Sequence, residues 1–109
     1  MASTAPTSGI ARFRVSDVVP VPLRGRMLRL RLVEGDPAGA TLRPGRPIRL
    51  RGPDGAERVV RILGLATPSG RARPDRLART REIDVVIAEA DAVAGGEPVR
   101  IGWTAEPAG

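Results

Sequence analysis

The chain has 109 residues, enough for one domain with a modest hydrophobic core, and its formal net charge is +6. It contains neither His nor Cys, so zinc sites, disulfides, thiolate nucleophiles and the most common general base are excluded. Only carboxylates and hydroxyls remain for catalysis, and the sequence shows no nucleophile or acid positioned beside them. We therefore expect no enzymatic activity, no metal and no cofactor.

The basic excess has two interpretations. All 18 basic residues are Arg, and a dedicated arginine face would suit an anionic partner such as nucleic acid, an acidic protein surface or an anionic membrane. A chain rich in Ala, Arg, Gly and Pro that lacks Lys is also typical of a GC-rich coding sequence, in which Arg replaces Lys on a solvated surface. The sequence leaves both interpretations open.

Residues 1–9 are small and polar, and they predict a disordered tail before a single domain at 10–107. No apolar run approaches the roughly 20 residues that span a bilayer. The first residues also lack the basic and apolar segments of a secretory signal. We expect a cytoplasmic protein with no membrane partner.

Alternation of apolar and polar residues predicts strands in the first third of the chain. Residues 11–15 alternate, and 18–21 continue an extended segment whose prolines suit an edge or a bulge. After a turn at 23–26, residues 27–33 carry three leucines on one face and arginines on the other. A helix would scatter these leucines, whereas a strand directs them into one core.

The middle of the chain continues this pattern. Turn residues at 34–39 precede a strand at 48–51, and a second turn at 52–55 leads to an antiparallel strand at 57–65 with a bend at Gly64.

The last third begins with residues 67–81, which show the periodicity of neither a helix nor a strand and predict a basic loop. A strand at 82–88, a helical turn at 90–94 and a closing strand at 98–103 follow, and 104–109 trail off. The loop contributes four candidates for binding RNA or another anion: Arg71, Arg73, Arg76 and Arg79.

Five to seven short strands with turns between them, and no helix of useful length, predict an all-β fold. The expected architecture is a small, closed antiparallel β-barrel of about six strands.

Several short motifs occur in a recognisable order. They are residues 13–19 with the pattern F-x-V-x-D-V-V, the turn residues 24–25, the glycine-bounded turn and strand at 39–50, and the closing groups at 100–102 and 105–107. Together they resemble the translation-protein β-barrel, the second domain of translational GTPases such as elongation factor Tu, here in a stand-alone version.

The resemblance implies the fold of that domain and a pocket for the aminoacyl end of transfer RNA, near which Asp17 and Arg24 would lie. Ala66 stands where the family has an acidic residue, and Leu30 replaces a family glycine. We therefore do not expect aminoacyl-transfer-RNA binding in the family's manner. A chain without Lys has no phosphate-binding P-loop, so nucleotide hydrolysis is not expected either.

Four further arginines, predicted to point outward on successive strands, are candidates for binding RNA or another anion: Arg29, Arg31, Arg49 and Arg51. Like charges opposite one another on neighbouring strands destabilise a sheet, and a bound anion would relieve the repulsion. Acidic neighbours such as Glu57 or Glu89 would relieve it equally well. The chain has only two aromatic residues, too few for stacking single-stranded bases, so phosphates of structured RNA fit better.

Two functions are consistent with these features. The first is a non-catalytic binding module for structured RNA or a ribonucleoprotein. The second is a protein-interaction module that docks on an enzyme or assembly through a groove around Asp17, Arg24 and Trp103. In that case Trp103 would be partly exposed, whereas its alternative role is a core side chain. Strong salt dependence of RNA binding favours the first function, and a protein partner retained at high salt favours the second.

Overall fold

The computed structural model describes residues 11–35, 42–65, 79–93 and 98–108. Its strands are β1 (Arg12–Val21), β2 (Gly25–Glu34), β3 (Pro47–Arg51), β4 (Glu57–Leu65), β5 (Glu82–Ile87) and β6 (Thr104–Pro107), and a single-turn helix, α1 (Glu89–Ala92), lies between β5 and β6. The predicted tail at 1–9 and all but the end of the predicted loop at 67–81 lie outside the described residues.

The six strands form one antiparallel sheet that closes on itself in the order β1-β2-β5-β4-β3-β6. Two hairpins, β1–β2 and β3–β4, supply four of the strands, while β5 joins them on one side and β6 on the other. The prediction of an all-β chain with about six antiparallel strands is confirmed.

The core fills the inside of the ring. The three leucines of β2, Leu28, Leu30 and Leu32, are buried there with Phe13 and Val15 of β1, as their alternation predicts. Each such side chain contributes about 1.5 to 3 kcal/mol by leaving water. The side chains of β3, β4 and β5 that complete the core are Ile48, Leu50, Val60, Ile62, Val85 and Ile87.

Two strands carry bulges. The pairing of β1 with β2 shifts between Val15 and Asp17, and that of β4 with β5 shifts between Ile62 and Gly64, which confirms the predicted bend at Gly64. Bulges increase local twist and help a small sheet to curve. Pro20 lies in the part of β1 that pairs with β2 alone, in agreement with the predicted edge position.

The last strand differs from the prediction. The sequence predicts a strand at 98–103, but β6 forms at Thr104–Pro107. Ile101 is 65% exposed, and Gly102 has a φ of +98° at a turn. Ala105 is buried between β1 and β3. Because alanine is only weakly apolar, alternation at 104–107 gives little signal, whereas the two neighbouring strands supply its backbone hydrogen bonds.

The relation between β2 and β3 also differs from the prediction. The sequence predicts that these strands are neighbours, but β1 and β6 separate them on one side of the ring and β5 and β4 on the other. One edge of β2 is occupied by β1 and the other by β5, which leaves no edge for β3. The outward arginines of β2 and β3 therefore do not face one another.

We expect Leu23→Asn to stabilise the protein. Leu23, at the tip of the β1–β2 hairpin, is fully exposed and has a φ of +66°, a left-handed conformation that Asn tolerates better than Leu. The substitution should raise the free energy of unfolding by about 0.5 to 1 kcal/mol and the Tm by about 2 to 8 °C in calorimetry. Ile101→Asn, at an exposed turn residue without a positive φ, is the control, and an equal gain there would show that backbone strain at Leu23 is not the cause.

Candidate functional site

The arginines of β2 are paired with carboxylates of β5. Arg29 donates through Nε and Nη2 to the two oxygens of Asp84 at 3.0 and 3.3 Å, and Arg31 Nη1 lies 4.0 Å from Glu82. The hydrogen bond and the charge of Asp84 raise the pKa of Arg29 above its ordinary value. Arg29 therefore stays positively charged across the physiological pH range, and its guanidinium is already hydrogen-bonded to a carboxylate of the protein itself.

The arginines of β3 are paired as well. Arg49 Nε lies 3.0 Å from Glu57, and its Nη1 lies 3.4 Å from Glu106. Arg51 contacts the other oxygen of Glu57 at 3.4 Å. Arg12 of β1 extends this network, because it lies 3.8 Å from Glu106 and also pairs with Glu34.

The ion pairs between arginines and carboxylates show which residues carry the net positive charge of the chain. With the bidentate pair between Arg26 and Glu89, six arginines are matched by six carboxylates among the described residues. The matched residues sum to zero, so the +6 of the chain resides on the others. Glu57 neutralises two of the four candidate arginines, Arg49 and Arg51, as one interpretation of the sequence had it, whereas Glu89 pairs with Arg26, outside that set. The alternative, a like-charge patch of the β2 and β3 arginines, is not formed.

A surface depression of about 230 Å³ opens over β1, β6 and β3. Three arginines, one carboxylate and one hydroxyl line it, and they are Arg12, Arg49, Arg51, Glu106 and Thr104. Two of the predicted candidates, Arg49 and Arg51, thus meet at this depression, while Arg29 and Arg31 lie elsewhere.

A second cluster gathers arginines without carboxylates, and we call it the basic turn: Arg43, Arg46 and Arg61. The turn before β3 is fastened to β4 by backbone hydrogen bonds from Gly45 N to Ile62 O (2.7 Å) and from Ile62 N to Arg46 O (2.9 Å). Arg61 Nη1 donates to Gly45 O at 2.7 Å. All three arginines are exposed, and none forms an ion pair with a described carboxylate.

The sequence-based candidates did not include the basic turn. Its signal is the segment 43–47, Arg-Pro-Gly-Arg-Pro, in which Pro-Gly specifies a turn and places an arginine on each side of it. Arg61 could not have been assigned to it from the sequence, because it lies on another strand and joins the turn only through the pairing of Pro47 with Arg61.

The other predicted positions are dispersed. Arg79 is exposed, whereas Arg71, Arg73, Arg76 and Ala66 lie outside the described residues. Asp17 pairs in register with Arg29 and accepts a hydrogen bond from Val18 N at 2.9 Å. Arg24 is exposed, and its Nη2 lies 3.6 Å from the point that a Cβ on Gly64 would occupy. No hydrogen bond or ion pair joins Asp17 to Arg24 within the described chain.

Trp103 lies in the core and is 3% exposed. The guanidinium carbon of Arg58 stands 5.1 Å from its ring centroid, a cation–π distance. Arg58 Nη1 also approaches the carbonyl oxygens of Asp91 and Ala92 at 3.3 Å each, at the end of α1. The structure thus places Trp103 in the second of its two predicted roles, and its ring does not line an open groove with Asp17 and Arg24.

Within the described ranges, no three acidic side chains are grouped so that they could hold a metal ion. Nor does the described part contain a helix of the length and apolar character needed to cross a membrane. No protein-family model matches the chain, and no curated protein is significantly similar to it.

Proposed function

We propose that the chain is a non-catalytic binding module of the translation-factor domain-II type, which binds the phosphate backbone of structured RNA or of a ribonucleoprotein. The six-stranded ring and the ordered motifs at 13–19 and 39–50 support the relationship to that domain. The relationship in turn supports RNA as the anionic partner. The scarcity of aromatic side chains favours contacts to phosphates over contacts to bases.

The basic turn is the observation that carries this proposal. Three exposed arginines meet where the chain enters β3, and no described carboxylate neutralises them. The bond from Arg61 to Gly45 O holds one guanidinium in place before a partner arrives, which lowers the entropy cost of binding. Arginine forks form paired hydrogen bonds with phosphate oxygens.

The test is a salt titration of binding to an RNA hairpin, with wild type and the double variant Arg43→Ser/Arg46→Ser. Each lost phosphate contact lowers the slope of log affinity against log salt by about one, so the double variant should lose about two units and bind more weakly. Arg26→Ser/Arg31→Ser is the matched control, because it removes the same charge from two surface arginines that are paired with carboxylates. It should change the slope little.

Equal losses in the two variants would mean that RNA responds to net charge rather than to the basic turn, and the site would be wrong. A wild-type protein that binds the hairpin without salt dependence, or not at all, would contradict RNA binding itself.

A protein partner is the second candidate function, because apolar side chains are exposed on the β1–β2 hairpin. Val19 of β1, which is 38% exposed, pairs with the half-buried Met27 of β2, and the fully exposed Leu23 projects from the hairpin tip beside them. Exposed apolar side chains on a rigid turn are typical anchors for another protein. Retention of one defined protein partner at high salt, and its loss in Leu23→Asn, would support this function over RNA binding.

A further inference from the structure

Strand β6 presents only two outward side chains, Thr104 and Glu106, and arginines of the adjacent strands flank both. Thr104 pairs in register with Arg14 of β1 and with Arg51 of β3. Glu106 pairs in register with Arg49 of β3 and also contacts an arginine of β1. The outside of β1, β6 and β3 therefore carries two parallel rows, each with a β6 residue between two arginines.

In the Glu106 row, the carboxylate bridges the arginines on its two sides. Its oxygens lie 3.8 Å from Arg12 Nε and 3.4 Å from Arg49 Nη1. The Glu106 carboxylate is therefore an example, within this structure, of an anion held between arginines of β1 and β3.

In the Thr104 row, the middle residue is short and uncharged. Arg14 is exposed, has no ion pair with any described carboxylate, and stands opposite another arginine, Arg31, across β1 and β2. Within the described part of the chain, Arg51 uses Nη2 for Glu57 at 3.4 Å, and its other guanidinium nitrogens contact no carboxylate. The hydroxyl of Thr104 makes one contact with the described residues, at 3.5 Å with Arg51 O, so it can turn toward a ligand.

We propose that the outer surface at Thr104, at the edge of the depression, is a binding site for a phosphate group, held between Arg14 and Arg51 as the Glu106 carboxylate is held between Arg12 and Arg49. The short threonine leaves the space, the arginine forks match the tetrahedral oxygens, and the hydroxyl supplies a further donor. The depression of about 230 Å³, which Thr104 and Arg51 line together with Arg12, Arg49 and Glu106, lies beside this position and has room for part of the molecule attached to the phosphate. The preferred ligand is therefore a phosphate monoester.

This site is distinct from the basic turn and does not depend on the proposed RNA contact. Arg46 immediately precedes β3 and Arg51 ends it, five residues and about 16 Å apart. The alternative source of the phosphate is the diester backbone of an RNA. The two sources differ in whether a mononucleotide is sufficient for binding.

The test is an NMR titration of the whole chain with inorganic phosphate, adenosine 5′-monophosphate and a short RNA duplex, with backbone amides of 14, 51 and 104 as reporters. Wild type should bind phosphate weakly and the monophosphate more tightly. Thr104→Glu places a carboxylate between the two arginines, so it should weaken both about tenfold or more while raising the Tm. Arg14→Gln should also weaken binding about tenfold.

Two controls distinguish this site from the basic turn and from a change in side-chain shape. Thr104→Val keeps the shape and removes only the hydroxyl, so it should bind phosphate more tightly than Thr104→Glu. Arg43→Ser/Arg46→Ser should leave the phosphate titration unchanged even if RNA binding is lost. Equal affinity in wild type and Thr104→Glu would overturn the site, as would loss of phosphate binding in the basic-turn variant alone. A response to the RNA duplex but not to the monophosphate would overturn the monoester assignment.

Discussion

Trp103→Ala is expected to lower the free energy of unfolding by about 3 to 5 kcal/mol, a large part of the stability of a domain of this size. The indole is 3% exposed, and it packs so closely that a Cβ on Gly52 would lie only 3.0 Å from its ring. It also supports Arg58, whose guanidinium stacks on the ring and reaches the end of α1. Removing the ring therefore creates a cavity and releases the connection between β4 and α1.

Calorimetry should show this loss as a fall in Tm of at least about 12 °C. Trp103→Phe keeps an aromatic ring in the core and should cost less than half as much. Ile101→Ala, at an apolar but exposed neighbour, should change stability by no more than about 0.5 kcal/mol. A folded Trp103→Ala variant with an unchanged Tm would contradict a core role for Trp103 and would favour its alternative role as a surface contact.

Gly25→Ala is the second substitution with a large expected effect, a loss of about 3 kcal/mol or more in the free energy of unfolding. Gly25 begins β2 with a φ of +130°, which L-residues with a side chain rarely adopt. A Cβ there would collide with the carbonyl oxygen of Ile87, a backbone atom held in place by the pairing of β2 with β5. Neither atom can yield without disturbing the sheet.

Gly55→Ala is the matched control for this effect. Gly55 also has a positive φ, +93°, but a Cβ there would meet nothing within 4 Å. Its substitution should cost only the backbone strain, about 1 kcal/mol. Urea unfolding of both variants would separate strain from collision. If Gly25→Ala proves no more destabilising than Gly55→Ala, the close approach of β2 to β5 is not a constraint on the fold.

The alternation in the sequence predicted where the candidate arginines point but not which residues they contact. Alternation correctly placed Arg29 and Arg49 on the outside, because successive side chains of a strand point to opposite faces. It could not show that Asp84 and Glu106 neutralise them. Those partners lie 55 and 57 residues away in the chain, so only the order of strands in the ring brings them close.

The basic turn and the Thr104 row were not found from the sequence for the same reason. Arg61 joins Arg46 through the β3–β4 pairing, and Thr104 is flanked by arginines only because β6 inserts between β1 and β3. The alanine and prolines around β6 also gave no strand signal.

The sequence by itself determined the all-β class, the inward leucines of β2 and the position of the bend at Gly64, because each depends on the local alternation of the backbone or on glycine within a few residues. Only the tertiary structure decided which strands are neighbours, since the closed ring satisfies both edges of every strand at once. That choice of neighbours set which arginines are neutralised and which remain free to bind an anion. The order of the strands therefore decides which surface arginines are neutralised, whereas the alternation of apolar residues in the sequence decides which side chains form the core.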